Sequence, residues 1–199
     1  KKHIKTKFLK GLIMGKTKNF ILTFFISFFM VLSPNFLFSI NANSNVEILL
    51  DKLSKTSKNE ATQIRNEIWN IWLSHRKSSI GNLTRQAMDY FSSGELSEAE
   101  KAFSNLIAMD PSFVEGWNKR ATVRYMQGDL KGSLDDIREV LVRQPRHFGA
   151  MSGKGMILFQ QKKYEDALFV YSDLLKVDPH NDFGAIMYNK ITKILGDFI

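Results

Sequence analysis

Apolar residues return at helical spacing along most of the chain beyond residue 45. In 114–127, Trp117, Ala121 and Tyr125 recur at every fourth position, and in 130–143 Leu134, Ile137, Val140 and Leu141 form a second stripe. That spacing predicts two amphipathic helices. Gly128-Asp129 between them predicts a turn, because Gly takes the positive φ that ends a helix. Pro145 predicts the stop of the second helix. The same plan appears on either side. Leu83, Ala87 and Tyr90, a turn at Gly94-Glu95, then Ala99, Phe103 and Leu106 run up to Asp110-Pro111. Met151, Gly155 and Leu158, a turn at Lys162-Lys163, then Tyr164, Ala167, Tyr171 and Leu174 run up to Asp178-Pro179.

Pro111, Pro145 and Pro179 recur every 34 residues. A fixed period of this kind predicts stacked helix hairpins. Small residues recur within it, Ala87, Ala121 and Gly155 on the first helices and Ala99, Ser133 and Ala167 on the second. Helices approach closely only where no large side chain intervenes, so these positions mark the hairpin crossings. Residues 182–199 predict one further helix, with Phe183, Ile186, Met187, Ile191 and Ile194 apolar, that covers the last open face of the stack. Val46–Leu53 and Glu60–Ser74 predict two earlier helices. Counting back one period from the first clear repeat lands on Val46, so this pair reads as a degenerate hairpin stacked under the first repeat.

The period, the Trp117 to Ala121 spacing, the Gly-Asp turn, the spacing from Ala to aromatic (Ala99 to Phe103, Ala167 to Tyr171) and the closing Asp-Pro resemble the tetratricopeptide repeat. The resemblance implies an all-α, right-handed solenoid of antiparallel hairpins. It divides the chain into a leader (1–44), a degenerate helix pair (45–79), three repeats (80–113, 114–147 and 148–181) and a capping helix (182–199). Arg120, Arg124 and Lys162 depart from the family pattern, which has apolar or aromatic residues at the first two and Gly at the third. The two arginines predict a polar edge on the middle repeat, either a partner contact or a solvated face.

Composition changes the picture at the N-terminal end. The formal net charge is +8, but residues 1–19 hold seven Lys and no acid. Without them 21 Lys and Arg face 20 Asp and Glu, so the body lacks the basic footprint of a nucleic-acid binder. The basic stretch precedes an uncharged run, Phe20–Leu32, then Ser33-Pro34 and the small polar residues 39–44. That order predicts a secretory signal peptide cleaved after Ala42 or Ser44. The alternative is an uncleaved anchor, since Phe20–Ile40 reaches the roughly 20 residues that a membrane span needs. Either reading delivers the body to the far side of the membrane. The first residue is Lys, and a start at Met14 gives a more ordinary leader.

Candidate chemistry is sparse. There is no Cys, which excludes disulfides, a cysteine nucleophile and thiolate metal sites. His3, His75, His147 and His180 lie far apart in sequence, so no metal site is expected. Gly149–Gly155 has three residues rather than four before Gly-Lys and Gly after Lys, which does not fit a phosphate loop. Asp135-Asp136 and Glu98/Glu100 read as the charged outer faces of second helices. No catalytic residue, cofactor or metal is assigned.

What the family resemblance implies instead is a concave groove lined by first helices. Its inward positions are Thr84, Met88 and Phe91, then Asn118, Thr122, Tyr125 and Met126, then Ser152, Met156, Phe159 and Gln160. Met, aromatic and small polar residues together make an adaptable surface for a segment of another protein. Thr84 and Met88 stand where some family members carry a Lys and Asn clamp for a carboxylate, so apolar anchoring is expected. The alternative is that these residues pack on neighbouring repeats, or that the preceding segment fills the groove. Ile68-Trp69-Asn70-Ile71-Trp72 and Pro145–Ala150 are also similar to stretches of exported tetratricopeptide proteins of alphaproteobacteria. That likeness implies a small periplasmic protein. The reading is a non-catalytic scaffold or adaptor in the envelope that binds a protein or peptide and no nucleic acid, touching membrane only through an uncleaved leader. The alternatives are a membrane-anchored assembly factor and an accessory subunit of an envelope enzyme.

Overall fold

The computed structural model describes residues 45–74 and 78–196, and the expected leader lies outside them. The described residues form nine α-helices and no strand. They are α1 (45–53), α2 (Lys58–Leu73), α3 (Ser78–Ser92), α4 (Leu96–Met109), α5 (Val114–Gln127), α6 (Leu130–Arg143), α7 (Phe148–Gln160), α8 (Tyr164–Val177) and α9 (Asp182–Gly196). No helix among the described residues is long and apolar enough to cross a membrane.

Helices α3 to α8 pair as three antiparallel hairpins, and α9 follows on α8. Each tight turn needs one residue in the left-handed region. Gly94 (φ 76°) and Gly128 (φ 85°) supply it in the first two hairpins, and Lys162 (φ 60°) in the third. The crossings are built as their small residues require. Ser133 is buried and its hydroxyl donates to the Ala121 carbonyl at 2.7 Å. A Cβ on Gly155 would meet the Tyr171 ring at 2.6 Å, so the third hairpin closes only over a residue with no side chain. Helix starts are capped locally: the Asp129 carboxylate accepts from the Gly132 amide at 2.9 Å and the Asn181 side chain from the Gly184 amide at 2.8 Å. Met187 and Ile191 of α9 are buried against the cluster of the third hairpin, as a cap requires.

Arg120 and Arg124 do not form a solvated face. Arg120 grips Asp136 of α6 through two bonds of 2.9 and 2.7 Å and donates to Ser104 of α4 at 3.0 Å. Arg124 bonds Asp136 at 3.0 Å and Glu100 of α4 at 2.8 Å. Asp136 is 2 % exposed. The expected charged outer face is here an internal ion cluster that ties three consecutive helices. Its geometry is the planar fork that suits Arg to carboxylate.

The N-terminal pair also departs from expectation. It packs along the loops that join the second repeat to the third and the third to α9. Lys58 bonds Asp182 at 2.9 Å, Arg65 bonds Asp178 at 2.9 Å and the His180 carbonyl at 3.3 Å, and the His180 ring meets the Thr56 carbonyl at 2.9 Å. Arg146 holds Asp51 at 2.6 Å and also pairs with Glu47 of α1. Val46, Leu50, Leu53, Ile64, Ile68 and Trp72 join the same buried cluster as Phe148 and Met151. The pair is therefore a strap across the far end of the stack rather than an extra layer beneath its first repeat. The physical reason is an aromatic seat where the second repeat meets the third: Trp72 stacks on His147, and Trp69 meets Phe148 edge-on at 5.3 Å.

Candidate functional site

Where α5 and α7 run side by side, they leave a furrow of about 50 Å³. Asn118, Thr122 and Tyr125 line one wall, and Gly149, Gly153 and Met156 the other. The spacing of each wall follows from the helix repeat, which puts positions three and four apart on one face. Ala121 and Ser133 lie at its floor, so the close crossing of α5 and α6 sets its depth. Gly149 and Gly153 leave the second wall as bare backbone. At Gly153 a Cβ would already touch Ile137 at 3.3 Å.

Of the eleven groove positions expected from the sequence, the furrow brings together four: Asn118, Thr122, Tyr125 and Met156. The half-buried Thr84 hydroxyl donates to the Ile80 carbonyl of its own helix at 2.8 Å. Met126 is 55 % exposed and Gln160 is exposed, beyond its lining. Met88 and Phe91 are half-buried and pack on the core of the first hairpin. Phe159 faces Tyr164 at 5.6 Å and lies under the Lys190 ammonium at 5.0 Å, and Ser152 is half-buried outside the furrow.

One end of the furrow is closed by the strap. The Trp69 ring sits against Gly149, where a Cβ would meet it at 2.8 Å, and Lys119 lies 5.2 Å over the same ring. Behind it stands a buried chain of polar groups. Asn118 donates to Glu115 at 3.1 Å, and Glu115 meets His147 Nε2 at 2.8 Å. His147 Nδ1 accepts from the Ala150 amide at 3.1 Å, so the ring caps α7. An accepting Nδ1 carries no proton, which makes Nε2 the donor to the Glu115 carboxylate. Burial pushes the Glu115 carboxyl up, but the His147 bond, the Lys119 charge and the Asn118 bond outweigh it and hold it below its usual range. Sequence reasoning missed this chain because its central link, Glu115 to His147, spans 32 residues. The signal that could have found it is the likeness of the Ile68–Trp72 and Pro145–Ala150 stretches to one kind of protein, for the structure packs these two stretches together.

Among the described residues no three His, Asp or Glu are placed to hold a metal ion. The polar chain is closed on itself, each group being used in capping or pairing, and it leaves no nucleophile beside a free base.

The family model for the tetratricopeptide repeat matches residues 84–141 and 132–182. A TPR repeat-containing protein of Rhizobium etli is 32 % identical over 160 residues, which cover 78 % of each chain. The chain is a tetratricopeptide repeat protein. Hsp70-Hsp90 organizing protein 3 of Arabidopsis thaliana is 27 % identical over 132 residues, and the match spans 23 % of that longer protein. Among solved structures, the first TPR of Spaghetti bound to an HSP90 peptide superposes with a TM-score of 0.57 at 21 % identity, over 59 % of this chain and 93 % of that one. The Sgt2 TPR domain from Aspergillus fumigatus also reaches 0.57, at 15 % identity, over 61 % of this chain and 82 % of that one. These likenesses establish the helical repeat solenoid as the fold of this tetratricopeptide repeat protein.

Proposed function

We propose that this tetratricopeptide repeat protein is a non-catalytic adaptor that binds a segment of another protein in the furrow between α5 and α7. The observation that carries the reading is the pairing of walls. Thr122, Tyr125 and Met156 face a strip of bare backbone at Gly149 and Gly153. An aromatic and a thioether beside a wall that carries no side chain suit the side chains of an extended or helical segment. The strap closes the end at Gly149, so the segment enters from the end marked by Met126 and Gln160. A structural neighbour described as bound to an HSP90 peptide supports the use of this fold to hold a peptide. The basic, then apolar leader supports action in the periplasm, and the length of Phe20–Ile40 keeps membrane anchoring as a second form of the same protein.

A photo-crosslinking residue at Met126 in living cells is expected to link one partner species, and the same residue at exposed Met109 is not. Equal linking from both positions overturns the assignment. Sequencing the N-terminus of the exported chain separates the two forms: a start near Asn43 or Asn45 means cleavage, and an intact Lys-rich end means an anchor.

A further inference from the structure

A second concavity lies on the opposite side of the hairpins, between the second helix of the middle repeat and the start of the third hairpin's second helix. It encloses about 590 Å³, within the range of ligand-sized sites. Leu134, Leu141 and Val142 form its apolar part, and Lys131, Lys154 and Lys163 stand around it. Val142 is 73 % exposed. The one acid at its edge, Asp135, is already paired with Arg138 at 3.1 Å. None of the three lysines makes an ion pair among the described residues.

The neighbouring helix carries the converse surface. Phe169 of α8 is 67 % exposed. Glu165 and Asp166 lie one turn before it and Asp173 one turn after it, on the same side by helical spacing. Asp173 pairs with Lys176 at 2.6 Å, while Glu165 and Asp166 have no ion pair among the described residues. The basic, apolar hollow along α6 reaches the start of α8 at Lys163, and α8 itself carries the acidic, apolar projection.

We infer that the convex face formed by α6 and α8 is a self-association surface, on which Phe169 of each of two copies enters the hollow of the other. The two patches are adjacent on one chain, so a twofold axis between copies satisfies both contacts at once, as an isologous dimer requires. The occupant is a second copy because this chain itself carries the complementary surface. Each helix of 14 residues is about 21 Å long. Each helix with its side chains is about 10 Å wide, so the two together offer roughly 400 Å² per partner, about half a standard interface. The dimer is accordingly weak, with a Kd of tens of micromolar or more, and salt-sensitive.

The test is sedimentation of the purified full chain over a concentration series spanning that range. The wild type is expected to pass from monomer to dimer, and Phe169→Asp to stay monomeric. Lys131→Glu with Lys154→Glu, and separately Glu165→Lys with Asp166→Lys, are each expected to weaken dimerisation at least tenfold. An equimolar mixture of these two variants restores association, as does the chain carrying all four changes, and this rescue shows that the variants fold. A wild type that stays monomeric, a dimer indifferent to Phe169→Asp, or swapped charges that fail to restore association each overturns the proposal.

Discussion

The imidazole of His147 lies flat against the indole of Trp72, with ring centroids 3.9 Å apart and planes 14° from parallel. This contact joins the strap to the third repeat. His147 is fully buried and Trp72 nearly so, so the stack is dry, and the same imidazole caps α7 and bonds Glu115. Trp72→Ala removes one face of it. A buried Trp truncated to Ala costs about 3–5 kcal/mol. The expected result is a fall of that size in denaturant stability, with protease cleavage appearing first within 45–73 while the repeats keep their helical circular dichroism. A variant as stable and as resistant as the wild type contradicts the strap.

Asp136 accepts from both Arg120 and Arg124 inside the second hairpin. Asp136→Asn keeps the shape and removes the charge, which leaves two guanidinium groups with one carboxylate, Glu100, between them. Losing one member of a buried ion cluster costs about 3 kcal/mol. Urea titration should show that loss. A change of a few tenths would mean that the cluster is solvated in solution.

Lys162 adopts φ 60° at a turn where the other two hairpins have Gly. A side chain in the left-handed region costs about 1–2 kcal/mol, partly offset because Gly gains freedom in the unfolded chain. Lys162→Gly is therefore expected to stabilise the protein by up to about 1 kcal/mol, read as a higher thermal midpoint. A lower midpoint would contradict the strain.

The Glu115 carboxyl is held below its ordinary value of 4.5 in the folded chain. A depressed folded value gives stability that is present above the unfolded value and is lost as pH falls through the folded one. Denaturant midpoints are expected to be steady near neutrality and to drop below about pH 4.5. Glu115→Gln is expected to be less stable at pH 7 and to show a shallower acid decline. An unchanged acid profile in that variant would remove Glu115 from the cause.

The hairpins were legible because their information is local. Gly94, Gly128, the small residues at each crossing and the three prolines all lie inside one period, and each specifies its own turn or contact. What was not legible depends on partners at long separation. Arg120 and Arg124 look solvated on their own helix, and only the fold brings Asp136 from α6 and Glu100 from α4 against them. The strap failed for a related reason. The 34-residue period places Val46 in register with the repeats, but α1 and α2 bury their apolar residues against Phe148 and Met151 of the third repeat. The position of the pair is fixed by Arg146 on Asp51, 95 residues away, by Asp178 on Arg65, 113 residues away, and by His147 on Trp72, and no periodicity carries that information. Within the groove, Met88, Phe91 and Phe159 are half-buried against their neighbours, the alternative that the sequence leaves open.

The proposed adaptor role depends on the furrow between α5 and α7. The decisive measurement is capture of the protein that links through residue 126, repeated with Tyr125→Ala and Met156→Ala combined, with the helical circular dichroism recorded alongside. The prediction is that capture is lost while the helical signal is unchanged. Capture that survives both substitutions in a folded chain would contradict the furrow as the binding site.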